Sequence, residues 1–399
     1  MSRATRSPGA VLVGASAAQT SVSLVNFGLP SIGPQLSDTL DMSLFWLGAV
    51  LASGLLGAGM ALIAAGSAVD RMGARRAMLI GTAIATTGLV AAAFMPSPQT
   101  LFAALLVFGL GSAVIPVAGT GALFAVYPPA RRGWALGIRQ TAVPLGGTIA
   151  AVTYPGLFAL GGIELTMLGS ALVVAATGVA FAIVAGDDRR PAESRIERPF
   201  RTILAAPGLR RLLAVAACYI IVLQALLAYI VPAVRAAGHS QLTAAVAYFG
   251  INVAAMVARI VWGTIADRNG GSRRVRTLVE GGLLAAGGAV VFAAALHGGG
   301  AIVVAAAVLF GLGALGWNAL VYVSAGERVD ASLAGRSVAV AATVVFVLSG
   351  IATPALGAVA DEAGWDALWI TTALIALLGA VLATRLGEVS TLARARPDP

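Results

Sequence analysis

The 399-residue sequence predicts an all-α membrane protein, with twelve transmembrane helices arranged as two pseudo-symmetric six-helix bundles. Three observations carry that expectation. Hydrophobic residues make up 59% of the chain and charged residues only 11%, with a mean hydropathy of +0.92. Soluble domains are about 45–50% apolar and about 25% charged, so this chain lacks the charge to cover a water-facing surface. The apolar residues also fall in unbroken Ala/Val/Leu/Gly runs of membrane length. An outer-membrane barrel would show short alternating segments instead. Finally, landmarks in the first half recur in the second.

The predicted spans lie at 9–29, 43–68, 76–95, 100–126, 134–158 and 164–185, then at 211–233, 242–266, 277–297, 300–324, 336–359 and 366–386. Span 1 follows two arginines and outlasts a signal-peptide core, with no cleavage site behind it, so it reads as a true span. Residues 187–210 are the long polar stretch and read as a cytoplasmic linker between an N-terminal bundle (1–186) and a C-terminal bundle (211–399). All 26 basic residues are arginine. They gather in alternate loops: Arg71, Arg75 and Arg76, then Arg131 and Arg132, the linker, then Arg268, Arg273, Arg274 and Arg276, then Arg328 and Arg336. The opposite loops carry Arg235 and the acidic residues Asp38, Asp41, Glu164, Asp361, Glu362 and Asp366. The positive-inside bias therefore places both termini in the cytoplasm of an inner-membrane protein. It also accounts for the net charge of +9 without nucleic acid as a partner. Cys218 stands alone in an apolar run and reads as a small packed hydrophobe.

Three landmarks repeat. Asp70-Arg71 after span 2 and Asp267-Arg268 after span 8 are 197 residues apart. Phe108-Gly-Leu-Gly111 in span 4 and Phe310-Gly-Leu-Gly313 in span 10 are 202 apart. Tyr154-Pro155 in span 5 and Thr353-Pro354 in span 11 are 199 apart. Duplication across a membrane is how many secondary transporters build a central site between two rocking halves.

The loop after span 2 runs Gly66-Ser-Ala-Val-Asp70-Arg71-Met-Gly73-Ala-Arg75-Arg76, with a degenerate copy from Gly263 to Arg274. This pattern resembles the loop signature of the major facilitator superfamily, and helix count, orientation, linker and repeat extend the resemblance over essentially the whole chain. In that family the Asp latches the two halves while the cytoplasmic side is closed. The resemblance therefore implies gating roles for Asp70, Arg71, Gly73 and Arg75, and weaker ones for Asp267 and Arg268. The bland alternative is that these charges only anchor a short loop.

Polar residues inside spans are few and are the candidates for binding. Arg259 lies about two turns before the Asp267 end of span 8, and an intramembrane Arg normally faces a wet cavity or a partner. Val257-Ala-Arg259-Ile-Val-Trp-Gly263 is similar to the arginine pattern of monocarboxylate and oxalate carriers of the superfamily, where the Arg engages a carboxylate; here Ile260 stands where Pro is often found. The alternative is a side chain snorkelling to the headgroups. Arg139 and Gln140 open span 5, and from an estimated depth of a turn and a half Arg139 reads as part of the cytoplasmic gate rather than a second anion contact. Asn26 (span 1), Gln224 (span 7), Asn252 (span 8), and Trp317, Asn318 and Tyr322 (span 10) are uncharged candidates for substrate contacts. Each is equally a candidate for a helix–helix hydrogen bond. Tyr219, Tyr229 and Tyr248 are read either way, as cavity groups or as an interfacial belt.

No Asp or Glu lies deep in a predicted span, and no Walker lysine, metal-ligand cluster or nucleophile–base pair is present, so no cofactor, metal or enzymatic activity is expected. The resulting expectation is a monomeric secondary transporter of a small organic anion such as a monocarboxylate, taken up with protons by alternating access. Efflux of drugs or metabolites is the alternative. A non-transporting sensor or scaffold is the alternative from another class, but the short tails offer it no signalling domain.

Overall fold

The computed structural model describes residues 7–95, 97–185, 203–267, 273–330 and 333–386. Most of the linker expected at 187–210, and Arg268, lie outside them. Among the described residues the secondary structure is helical throughout. Ten helical stretches are long and apolar enough to cross a membrane, two of them 52 and 51 residues long. A crossing takes about 20 residues, so each long stretch crosses twice. Pro129–Ala185 doubles back at Gly161 and Gly162, where Gly162 has φ 60° and ψ −154°; Ala334–Thr384 doubles back at Gly364, with φ 84°. Spans 5 and 6, and spans 11 and 12, are therefore hairpins turned on glycine, where the sequence suggested separate helices with loops between. Twelve crossings result.

The other spans are Pro8–Gly28 (span 1), Leu44–Met72 (2), Ala74–Ala93 (3), Pro98–Ser112 with Val114–Val126 (4), Leu209–Ala236 (7), Gln241–Asp267 (8), Arg274–Ala295 (9) and Gly300–Ala314 with Asn318–Glu327 (10). Span 1 passes through a 3-10 turn, Leu29–Ile32, into the short helix Gly33–Leu40, with a proline in the first turn of each. Proline there removes a donor that has no helical partner anyway. Ser43 caps span 2 by accepting from the Trp46 N–H at 3.4 Å, and Ser97 caps span 4 from Thr100 at the same distance. Span 2 ends at Gly73, whose φ of 84° and ψ of 159° suit glycine alone. Gly73→Ala is expected to lower stability by about 1–3 kcal/mol, read as a drop in melting temperature in detergent.

The duplication reappears as packing. Gly111 of span 4 sits against the Ala85 backbone N–H of span 3, and Gly313 of span 10 sits against the Ala285 backbone N–H of span 9. Gly88 packs against Phe108, and Gly288 against Phe310. In lipid, close backbone approach supplies what a hydrophobic drive supplies in water.

The two sets of six spans meet along two seams. Span 2 packs against span 11, with Gly59 against Phe346 and Gly350 against Leu56. Span 5 packs against span 8, with Gly147 against Asn252. Toward the arginine-poor face both seams are tight. Toward the arginine-rich face they part: an added Cβ at Gly66 (span 2), Gly137 (span 5), Gly263 (span 8) or Gly335 (span 11) would meet nothing within 4 Å. At these arginine-rich positions the glycines of the two seams therefore have no close neighbour, unlike Gly48 and Gly357 toward the other face.

Candidate functional site

Span 8 carries two distinct faces. Val257, Ile260, Val261 and Thr264 are exposed, spaced as one outward stripe. Tyr248, Asn252 and Ala255 are buried and lie on the opposite stripe, which Arg259 continues. Arg259 is half-buried, and its side chain turns toward span 5. Its Nη1 donates to the Gln140 carbonyl of span 5 at 3.3 Å, crossing from one half to the other. Its Nε is buried without a hydrogen-bond partner, and the Tyr322 hydroxyl interacts with it electrostatically. A guanidinium offers five donors, so most of its capacity is unspent.

Arg139 lies one residue before Gln140, ten residues past the helix start at Pro129, about 15 Å along the axis. The apolar span itself begins at Trp134, so Arg139 lies about a turn and a half inside it. Arg139 is 5% exposed and turns into the first half, where Nη1 donates to Gln19 Oε1 at 3.2 Å and Nη2 to Thr120 Oγ1 at 3.1 Å. Its Nε is also buried and unpartnered. Arg139 and Arg259 therefore flank one stretch of span 5, both held by neutral groups. Arg274 and Arg276, by contrast, pair with carboxylates: Arg274 with Asp267 and Glu327, and Arg276 with Glu280.

Span 10 is broken where these groups need a wall. The helix stops at Ala314 and restarts at Asn318, leaving Leu315 to Trp317 outside regular helix. The restarted segment presents unpaired first-turn N–H groups, a partial positive charge. Asn318 and Tyr322 share a face at i, i+4, and Asn318 Oδ1 is buried without a partner. Tyr322 thus brings this polar face of span 10 within electrostatic range of Arg259. Trp317 departs from the expected cavity wall. It packs inside the C-terminal half, 6.0 Å from the Tyr219 ring, around a void of about 10 Å³ with Val222 and Ala285.

The remaining candidates serve helix contacts in this conformation. Asn26 packs against Gly54 and is buried. Gln224 donates to Thr353 Oγ1 at 3.1 Å, joining spans 7 and 11. Asn252 donates to the Tyr248 carbonyl at 2.9 Å, and its Oδ1 fills the space left by Gly147. Tyr229 and Tyr248 are fully buried bridges between the halves: Tyr248 donates to the Phe27 carbonyl, and Tyr229 reaches the Leu44 carbonyl at 3.2 Å. The belt alternative for these two is excluded by their burial. On the arginine-rich rim Asp70, Arg71 and Arg75 are exposed, Gly73 makes the turn, and Asp267 pairs with Arg274 at 3.4 Å. Sequence reading missed Gln19, Thr120 and the Gln140 carbonyl. The i, i+4 relation of Gln19 to Ser23 was visible, but its role depends on the span 1–5 contact.

Twelve apolar crossings with repeated helix contacts in each half define the architecture of a polytopic membrane transporter. The chain belongs to the Major Facilitator Superfamily, whose sequence pattern matches residues 11–354. An uncharacterized MFS-type transporter of Mycobacterium tuberculosis is 28% identical over 179 residues, covering 44% of this chain and 40% of that protein. The multidrug resistance protein Stp of the same species is 34% identical over 135 residues, 34% of this chain and 24% of that protein. The chain thus spans less than half the length of these relatives in each match. A D-xylose–proton symporter shares the fold at a TM-score of 0.78 with 13% identity, covering 96% of this chain and 98% of that one. The inward-open xylose transporter XylE of E. coli does so at 0.78 with 12% identity, covering 98% and 100%. An inward-facing bacterial homologue of the lysosomal transporter Spinster does so at 0.75 with 15% identity, covering 98% of each.

Proposed function

We propose that this transporter carries a small organic anion, such as a monocarboxylate, by alternating access, and that it works as a monomer in the inner membrane with both termini cytoplasmic. The carrying observation is the pair of guanidinium groups, Arg139 and Arg259, whose Nε donors are both buried and unpartnered and whose resolved partners are neutral. An unneutralised charge in a low-dielectric site is costly, and a substrate carboxylate removes that cost while taking a bidentate pair of hydrogen bonds. Arg259 supplies the charge at the seam, Asn318 and Tyr322 orient the ligand, and the Asp70 loop gates the arginine-rich side. Uptake is coupled to protons through the substrate's own negative charge at Arg259 or through a rim carboxylate, since among the described residues the spans place no acid beside either arginine.

The test is a melting-temperature screen of the purified protein with monocarboxylates, neutral sugars and hydrophobic drugs. A ligand at 100 times its Kd that binds only the folded state stabilises it by about 2.7 kcal/mol. Acids are expected to raise the melting temperature, an effect that weakens with added salt, while sugars leave it unchanged. A response to drugs or sugars without one to acids rejects the anion assignment. The similarity to the multidrug resistance protein Stp favours a second reading, efflux of drugs or metabolites. Altered drug sensitivity of a deletion strain, without a defect in acid uptake, selects it.

A further inference from the structure

Spans 2 and 11 run antiparallel along one seam, and each ends in an aspartate. Span 2 starts at Leu44 on the arginine-poor face and reaches Asp70 on the arginine-rich face. Span 11 starts at Ala334 on the arginine-rich face and reaches Asp361 on the other. Asp361 is engaged: its Oδ1 accepts from the Leu44 N–H at 3.0 Å and its Oδ2 from the Phe45 N–H at 2.9 Å. These are first-turn donors with no helical partner, at the positive end of the span 2 dipole. Ser43 takes the next N–H, so the first turn of span 2 is capped jointly by its own half and by the opposite half.

The contact is built to be close. The Tyr229 hydroxyl shares its proton between the Thr353 carbonyl at 2.6 Å and the Leu44 carbonyl at 3.2 Å, so span 7 clamps the same turn. Gly357 lies against the Leu44 carbonyl and Gly48 against the Tyr229 hydroxyl, and a side chain at either would hold the halves apart. At the far end of the same two helices the seam is parted, and Asp70 is exposed with no ion pair among the described residues.

We infer that Asp361 is the latch of the arginine-poor side: it holds that side shut by capping span 2, and it must let go for the hollow to open there. The seam between spans 2 and 11 then has an engaged carboxylate at its arginine-poor end and an exposed one, Asp70, at the other. Opening on the arginine-poor face exposes the Leu44 and Phe45 N–H groups to water, which replaces the lost bonds. The latch therefore holds reversibly.

Spin-label distance measurements test this independently of substrate and transport. In a Cys218→Ala background, labels at Gln99 and Leu242 report the arginine-poor side, and labels at Ser67 and Thr264 the arginine-rich side. Asp361→Ala is expected to shift the ratio of the two conformers about tenfold toward one in which the first pair lengthens and the second shortens, the scale of losing charge-assisted hydrogen bonds. Asp361→Asn, which keeps shape and one acceptor, is expected to shift it less, and Glu362→Ala not at all. Unchanged distributions in Asp361→Asn and Asp361→Ala overturn the inference, as does an equal shift in Glu362→Ala. If Asp361→Ala does not fold, Asp361→Asn alone decides: a shift supports the latch, and no shift overturns it.

Discussion

An Arg259→Ala transporter is expected to lose anion uptake while folding as well as, or better than, the parent. The two halves of that expectation come from the same geometry. In this conformation Arg259 makes one hydrogen bond to a backbone carbonyl, at 3.3 Å, and leaves its Nε buried and unpartnered. Removing it deletes one modest bond, worth about 1 kcal/mol, together with a desolvation penalty of several kcal/mol. The melting temperature should stay level or rise. Removing the charge that receives a substrate carboxylate costs about 2–5 kcal/mol of binding, a factor of roughly 30 to several thousand in affinity. Arg259→Lys keeps the charge without the planar fork, so it should recover part of the binding but not the parent's. Uptake in proteoliposomes and melting in detergent, read on the same preparations, check both halves. A stability loss matching the uptake loss would make Arg259 a structural residue, and undiminished uptake by Arg259→Ala would end the anion proposal.

Much of this was legible in the sequence, for reasons that are local. Span positions follow from runs of apolar residues, and the 3.6-residue period alone puts Tyr248, Asn252 and Arg259 on one stripe of span 8. Gly73 after a helix of membrane length signals a turn. The duplicated Phe-Gly-Leu-Gly segments mark the same helix crossing in each half, as their contacts with Ala85 and Ala285 bear out. What escaped depends on contacts between distant segments. Asp361 looks like one of several acids in a short loop until span 11 is laid against the start of span 2, 317 positions away in sequence. Tyr229 and Tyr248 carry no mark that separates a buried bridge from a membrane-surface ring. Trp317 was a cavity candidate because span 10 lines the cavity in the family the chain resembles, and nothing local showed that the break at Leu315 to Trp317 leaves its ring against Tyr219 in the C-terminal half. Arg139 was read as a gate residue from its depth alone, and its burial against Gln19 and Thr120 follows from the packing of spans 1, 4 and 5, which the sequence does not display.

The repeated glycines make a sharper prediction than the repeat itself, because the two copies are not equally tight. Gly109 of span 4 faces span 2, and a Cβ built there would collide with the Gly54 carbonyl oxygen and meet the Ala58 backbone N–H at 3.0 Å. Its counterpart Gly311 of span 10 faces span 8, where a Cβ would meet the Ile251 Cβ at 3.3 Å and the Ala254 Cβ at 3.4 Å. The difference lies in the partner helix: by the 197-residue offset of Asp70 and Asp267, Gly54 and Gly57 of span 2 correspond to Ile251 and Ala254 of span 8, so side chains already hold spans 8 and 10 farther apart. A carbonyl oxygen in a helix cannot swing aside, whereas packed side chains can give a few tenths of an ångström. Gly109→Ala is therefore expected to cost at least the 1–3 kcal/mol typical of overpacking, prising span 4 from span 2. Gly311→Ala should fall within about 1 kcal/mol of the parent, since the added methyl is offset by the lower helical entropy cost of Ala. Melting temperatures of the two variants in one detergent give the comparison directly. Equal losses would mean that the two bundles pack alike at this crossing, and that the smaller residue at position 54 does not set the span 2–4 distance.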